Sequence, residues 1–180
     1  PKILINQWKD ELRRVGVKHF DIQEIKRTNI KDFASMGFRE GYYIASIDLV
    51  KREEHQKLIA DVKWDIIVVD EAHNAGYKTQ RWNLIKELAC KDTSRDNHLI
   101  LLSATPHRGK PNDYLARLTL IDPTLLKVAN ISVLERVFDK PEFYQQTHNI
   151  LVYRRSKDDV NKIYESREIF KPCNMLAVLI

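Results

Sequence analysis

The segment WDIIVVDEAHNAG, residues 64–76, drives four consecutive β-branched residues into two adjacent carboxylates, then an alanine and a histidine. Burial disfavours unpaired charge, so the paired acids mark the point where the chain leaves a core. A second aliphatic run, residues 98–102, ends in Ser103-Ala104-Thr105-Pro106. One carboxylate of such a pair can hold a hydrated magnesium ion, a hard cation that prefers oxygen donors and keeps several waters. Its neighbour can orient or deprotonate a water for in-line attack on a phosphoryl group. Sites of this kind work by positioning and charge stabilisation more than by covalent steps. Plainer roles suit the same residues. Asp70 and Glu71 fit a helix start, where exposed amides favour carboxylates, and Ser103 and Thr105 fit a turn before Pro106.

Those side chains need a scaffold, and the hydropathy pattern supplies one. Leu4, Trp8 and Leu12, with Ile5 beside them, predict an amphipathic helix over 2–15 that Gly16 stops. Phe20, Ile22 and Ile25 predict a short strand, residues 42–47 a second, 66–69 a third and 98–102 a fourth. Between them, 48–62 reads as a surface helix with Asp48 near its start, and 79–89 as a helix with Trp82, Ile85 and Leu88 turned inward. Short uninterrupted apolar runs separated by helices are what a parallel sheet covered on both faces requires, so the class is α/β. Ligands of open parallel sheets gather at the carboxyl ends of the strands. Asp70-Glu71 and Ser103-Ala104-Thr105 are therefore expected in one crevice. From Asn112 the pattern turns helical, and residues 151–180 read as an extended tail leaving the compact unit.

Composition bounds the reading. At 180 residues, 43% hydrophobic and 31% charged, the chain has the profile of one soluble globular domain. No apolar run approaches the roughly 20 residues that cross a bilayer, which argues against a membrane partner. The start, PKILINQW, carries neither an initiator methionine nor a signal peptide and reads as an internal cut. A net charge of +5 suits a polyanionic partner and equally an ordinary basic surface. Cys90 and Cys173 match no metal spacing and read as buried thiols of a reducing cytoplasm.

The ordered segments carry a resemblance. Asp70-Glu71-Ala72-His73 after one buried strand, with Ser103-Ala104-Thr105-Pro106 after the next, resembles motifs II and III of superfamily-two helicases and translocases. PKILINQWKDEL, residues 1–12, is similar to the motif Ia segment of the Swi/Snf-type, DEAH-box branch. IASIDLVKR, residues 44–52, resembles the segment preceding motif II in the bacterial members of that branch. VYRRSKDDV, residues 152–160, resembles the arginine-rich connector between the two RecA-like lobes. The resemblance implies a RecA-like parallel sheet flanked by helices, of P-loop NTPase type. Residues 1–150 would be part of the first ATPase lobe, and 151–180 the connector towards a second.

Carried over by position, the resemblance implies ATP and Mg2+ as cofactors. Asp70 would meet the Mg–ATP and Glu71 would be the catalytic base. His73 would couple the nucleotide site to motif III or the second lobe, and Ser103 and Thr105 would link nucleotide state to DNA grip. Gln7, Trp8 and Ser46 would lie on or near the nucleic-acid path. The implied parent is a cytoplasmic, nucleoid-associated ATPase that moves on double-stranded DNA, within a larger protein assembly and without a membrane.

Some residues have two readings. Trp8 also suits simple packing of its helix on the sheet, which would leave Gln7 facing DNA. His107, Arg108 and Lys110 form a basic loop that suits phosphate contact and equally a plain turn. Arg154 and Arg155 suit nucleotide or DNA phosphate in the full protein and, in this chain alone, equally a hydrated surface. Trp64 and Trp82 read as core, and 51–57, KREEHQK, as a solvated helix face. The family's phosphate loop is expected upstream of residue 1, because Gly109-Lys110 is followed by proline and lacks the loop's first glycine. The isolated chain is therefore expected to hydrolyse ATP at no useful rate. Two other functions fit the same segments: a non-catalytic lobe that docks DNA or protein, and the motor of a strand-separating helicase or restriction system.

Overall fold

The computed structural model describes residues 2–90, 97–104, 111–122 and 175–179. Five strands form one parallel sheet: β1 (Ile22–Ile25), β2 (Gly41–Ala45), β3 (Ile66–Val69), β4 (His98–Leu101) and β5 (Met175–Leu179). Their spatial order is β1-β2-β5-β3-β4. The α/β expectation is met. Among the described residues six α-helices pack around the sheet: α1 (Lys2–Arg14), α2 (Ile30–Met36), α3 (Ile47–Val50), α4 (Glu53–Ala60), α5 (Gln80–Cys90) and α6 (Pro111–Ile121).

Strand alternation sorts the core into two layers. Ile25, Tyr43, Ala45, Ile67 and Val69 face one side, where Ile30, Ile59, Leu84, Ile85, Leu88, Ala116 and Leu120 close over them. Ile22, Ile44 and Val68 face the other side and meet Leu4, Ile5, Trp8 and Leu12 of α1. That helix ends where glycine permits a left-handed residue. Gly16 has φ +95°, its N–H donates to Arg13 O at 3.0 Å, and Val17 N–H donates to Leu12 O at 3.0 Å. This is a Schellman closure, sealed by the Val17–Leu12 apolar contact. Lys9 pairs with Glu24 of β1 and fixes α1 along the sheet.

Four expectations need correction. The helix expected over 48–62 is two helices, α3 and α4, because the His55 ring takes the Leu49 carbonyl at 2.9 Å. In a continuous helix that carbonyl would accept the amide four residues on. His55 is consequently 2% exposed, so 51–57 is not a wholly solvated face. Phe20 lies in a 3-10 turn, His19–Asp21, and Ile47 opens α3, so both stand outside the strands expected to hold them. β4 is an edge strand with Ile100 44% exposed, so the sheet is not covered on both faces there. Finally, Met175–Leu179 does not leave the unit. It lies between β2 and β3, pairing Gly41 with Met175 and Ile66 with Leu176. Residues 151–174, with Arg154, Arg155 and Cys173, fall outside the described residues.

Trp64 and Trp82 are core, at 3% and 4% exposure. Trp64 joins Phe38 and Tyr43 in edge-to-face contacts at 5.5 Å each and donates to Ile59 O at 3.1 Å. No helix among the described residues is long and apolar enough to cross a membrane.

Candidate functional site

The two acid- and hydroxyl-bearing turns meet. β3 and β4 are neighbours in register, Val69 opposite Leu101, so both chains leave the sheet at the same edge. The pairing continues past the strands: Leu102 N–H donates to Val69 O at 2.8 Å, and Ala72 N–H donates to Leu102 O at 2.9 Å. A 3-10 turn, Ala72–Asn74, follows the acids. Glu71 enters that turn in the left-handed region, φ 50° and ψ 39°, a conformation rare for a residue with a side chain. Asp70 Oδ1 accepts the Glu71 N–H at 2.8 Å and steadies the bend.

His73 stands between the turns. Its Nδ1 is 3.0 Å from Glu71 Oε2 and 3.2 Å from Ser103 Oγ. A carboxylate at that distance favours the tautomer with the proton on Nδ1, which then donates to Glu71 with Ser103 as the second acceptor. The His73 side chain is 7% exposed and the Glu71 side chain 46%, so the carboxylate reaches solvent while its brace does not. A cleft of about 500 Å³ opens here, lined in part by Ser46, Asp48, Asp70, Glu71, His73 and Arg81.

The opposite wall is an ion-pair lock. Arg81 of α5 grips both Asp48 oxygens of α3, at 2.8 and 3.0 Å, and Lys51 reaches Asp48 at 2.9 Å. The bond from Lys51, then that from Arg81, holds the Asp48 carboxyl below its ordinary range despite partial burial.

The remaining sequence candidates divide. Ser46 follows β2 and caps α3 in extended conformation, inside the same cleft. Gln7 is exposed on α1, one residue from half-buried Trp8. The Trp8 indole does more than pack, because its Nε1–H donates to Asp70 Oδ2 at 2.9 Å. Thr105, His107, Arg108 and Lys110 fall outside the described residues.

Two residues of α6 escaped the sequence reading. Asp113 Oδ1 accepts the Tyr77 N–H at 3.0 Å, which pins the loop after the 3-10 turn. Arg117, 6% exposed, directs Nη1 to the His73 carbonyl at 3.4 Å. A signal for Arg117 existed: it is the one cation in the otherwise uncharged run YLARLTLI, residues 114–121.

The donor set fits a hydrated magnesium ion. Among the described residues no group of three or more His, Cys, Asp or Glu forms a cage, and magnesium needs only one or two carboxylates when it keeps its waters. Among the described residues that line the cleft there is no glycine.

The Glu71 backbone yields a stability prediction. Glycine adopts the left-handed region without the steric cost of about 1 kcal/mol or more that a side chain meets, and gives back part of that gain through unfolded-state entropy. Glu71→Gly is expected to leave the free energy of unfolding, measured by urea denaturation, unchanged or slightly raised, by up to about 1 kcal/mol. A drop of more than about 1 kcal/mol would mean that the turn depends on the side chain's bond to His73.

The SNF2-related domain model matches residues 1–177. RNA polymerase-associated protein RapA of Sodalis glossinidius (strain morsitans) is 30% identical over 133 residues, covering 68% of this chain and 13% of that protein. The proteins of the same description from Yersinia pestis (strain Pestoides F) and Yersinia pseudotuberculosis serotype O:1b (strain IP 31758) are each 30% identical over 130 residues, with the same coverage. The chain thus spans about 13% of the length of these curated relatives.

Proposed function

Because the chain belongs to the SNF2-related domain family of helicase-like proteins, we propose that it supplies part of the first RecA-like lobe of a motor that hydrolyses Mg–ATP and moves along duplex DNA. The observation that carries this reading is the meeting of the two strand-end turns, with His73 within bonding distance of both Glu71 and Ser103. Asp70 would hold the hydrated cation, which supplies charge neutralisation at the phosphates when bound. Glu71, the exposed carboxylate braced by His73, accepts the proton of the attacking water. Ser103 reports on that brace from the neighbouring turn and, with Thr105, links it to DNA grip.

On the same reading DNA contacts are mainly to phosphate, through exposed Gln7 of α1, Ser46, His107 and Arg108. The relatives' association with RNA polymerase supports a larger protein assembly in the cytoplasm as the setting.

The test is ATP hydrolysis by the full-length protein with and without duplex DNA. Stimulation by duplex is expected, declining steeply between about 50 and 200 mM salt because phosphate contacts release counterions. Displacement of a triplex strand without separation of the duplex would accompany it. Absence of turnover would overturn the reading in favour of a non-catalytic docking lobe, turnover indifferent to DNA would remove the DNA motor, and strand separation in place of triplex displacement would favour a true helicase.

A further inference from the structure

Strand alternation explains which way Asp70 faces. Ile66 and Val68 point to the α1 side of the sheet, where they meet Trp8, while Ile67 and Val69 point to the other. Asp70 continues the first set past the end of β3 and arrives beside the indole of a residue 62 positions away in the chain. Its two oxygens are then held from different directions. Oδ1 takes the Glu71 backbone N–H at 2.8 Å and Oδ2 takes the Trp8 Nε1–H at 2.9 Å.

The first bond is local and moves with the turn. The second comes from a helix fixed independently, by Leu4 and Leu12 against Ile44 and Val68 and by Lys9 on Glu24. An indole has one donor and no acceptor, so it can orient a carboxylate without competing for a cation. A carboxylate oxygen that accepts one hydrogen bond keeps a second lone pair for a metal. Phenylalanine in the same place would leave Asp70 held by the Glu71 N–H alone, with its second oxygen no longer fixed from α1.

Resting on the reading of Asp70 as the metal carboxylate, we propose that the Trp8 indole N–H is a positioning group for Asp70, fixing the orientation in which it receives a divalent cation and tying that orientation to the helix that presents Gln7. The helix on the nucleic-acid side and the cation site then share one rigid bond. A shift of α1 along the sheet is therefore felt directly at the carboxylate.

The experiment uses the full-length protein with Trp8→Phe, and with 3-benzothienylalanine at position 8, which keeps the shape of tryptophan and replaces N–H by sulfur. Mn2+ binding in the presence of ADP is followed by loss of the free-ion paramagnetic resonance signal, and the Mg2+ dependence of ATP turnover is measured beside it. Removing an orienting partner of a metal ligand typically weakens metal binding by roughly 10- to 100-fold. Both variants are expected to raise the half-saturating metal concentration about tenfold or more, with the KM for ATP at saturating metal near wild type. Half-saturation unchanged with the benzothienyl residue would overturn the proposal, whatever Trp8→Phe does to folding. Asp70→Asn separates the two levels. If it loses Mn2+ while the position-8 variants match wild type, only the role of Trp8 falls. If it binds Mn2+ normally, the reading of Asp70 falls with it.

Discussion

Replacing Glu71 by glutamine is expected to cut ATP turnover of the full-length protein by roughly 10²- to 10⁴-fold, the usual contribution of a positioned general base. The side chains are nearly isosteric, and the amide oxygen can still accept from His73 Nδ1, so the 3.0 Å brace survives. Asp70 and its two donors are untouched. What disappears is the capacity to take a proton. Nucleotide affinity should therefore stay within about threefold of wild type, because a carboxylate that acts in the transition state contributes little to ground-state binding. Steady-state hydrolysis together with binding of a fluorescent nucleotide checks both halves. Turnover within a few-fold of wild type would remove Glu71 from the chemistry. Loss of binding together with turnover would recast it as a ligand.

The largest structural effect is expected at Trp82. This residue of α5 is 4% exposed, packs edge-to-face on Tyr77 at 5.3 Å, and donates its indole N–H to Ala116 O of α6 at 2.9 Å. It clamps α5, α6 and the loop after the acidic turn into one block. Truncating a buried aromatic to alanine costs about 3–5 kcal/mol, mostly through the cavity left behind. The orphaned carbonyl adds little, because Ala116 O keeps the Thr119 hydroxyl at 2.8 Å. Against the total stability of about 5–15 kcal/mol typical of domains, Trp82→Ala removes about a fifth or more, and Trp82→Phe distinctly less. Urea denaturation measures both. A loss under about 1 kcal/mol for the alanine variant would contradict tight packing at this joint.

How much of this was legible in the sequence depends on how local each cause is. The span of β3 follows from four β-branched residues bounded by Asp65 and Asp70, and the end of α1 from Gly16, so both could be read directly. The meeting of Asp70-Glu71 with Ser103 was legible one step further on, because consecutive strands of a parallel sheet tend to be neighbours. Beyond that, the signal fades. Whether Trp8 reaches Asp70 depends on which face α1 covers, and no pattern within residues 2–15 states it. The break between α3 and α4 depends on a histidine ring taking a carbonyl six residues earlier, where helix-forming composition alone suggests continuity. Asp113 and Arg117 act on the acidic turn from α6, through contacts fixed by tertiary packing. The site's chemistry was therefore readable while most of the parts that hold it in place were not.

The position of β5 also has a consequence for how the molecule assembles. In the hydrogen-bond ladder of the described residues β1-β2 and β3-β4 are separate ribbons, and Met175–Leu179 joins them. On a ribosome, residues 22–101 emerge long before the strand that bridges them, so the facing edges of β2 and β3 wait with unpaired amides and carbonyls. Such edges invite other strands, and closing so distant a pairing is slow. The nascent chain should be most prone to mispairing and most in need of a chaperone in the interval between synthesis of Leu101 and arrival of Met175.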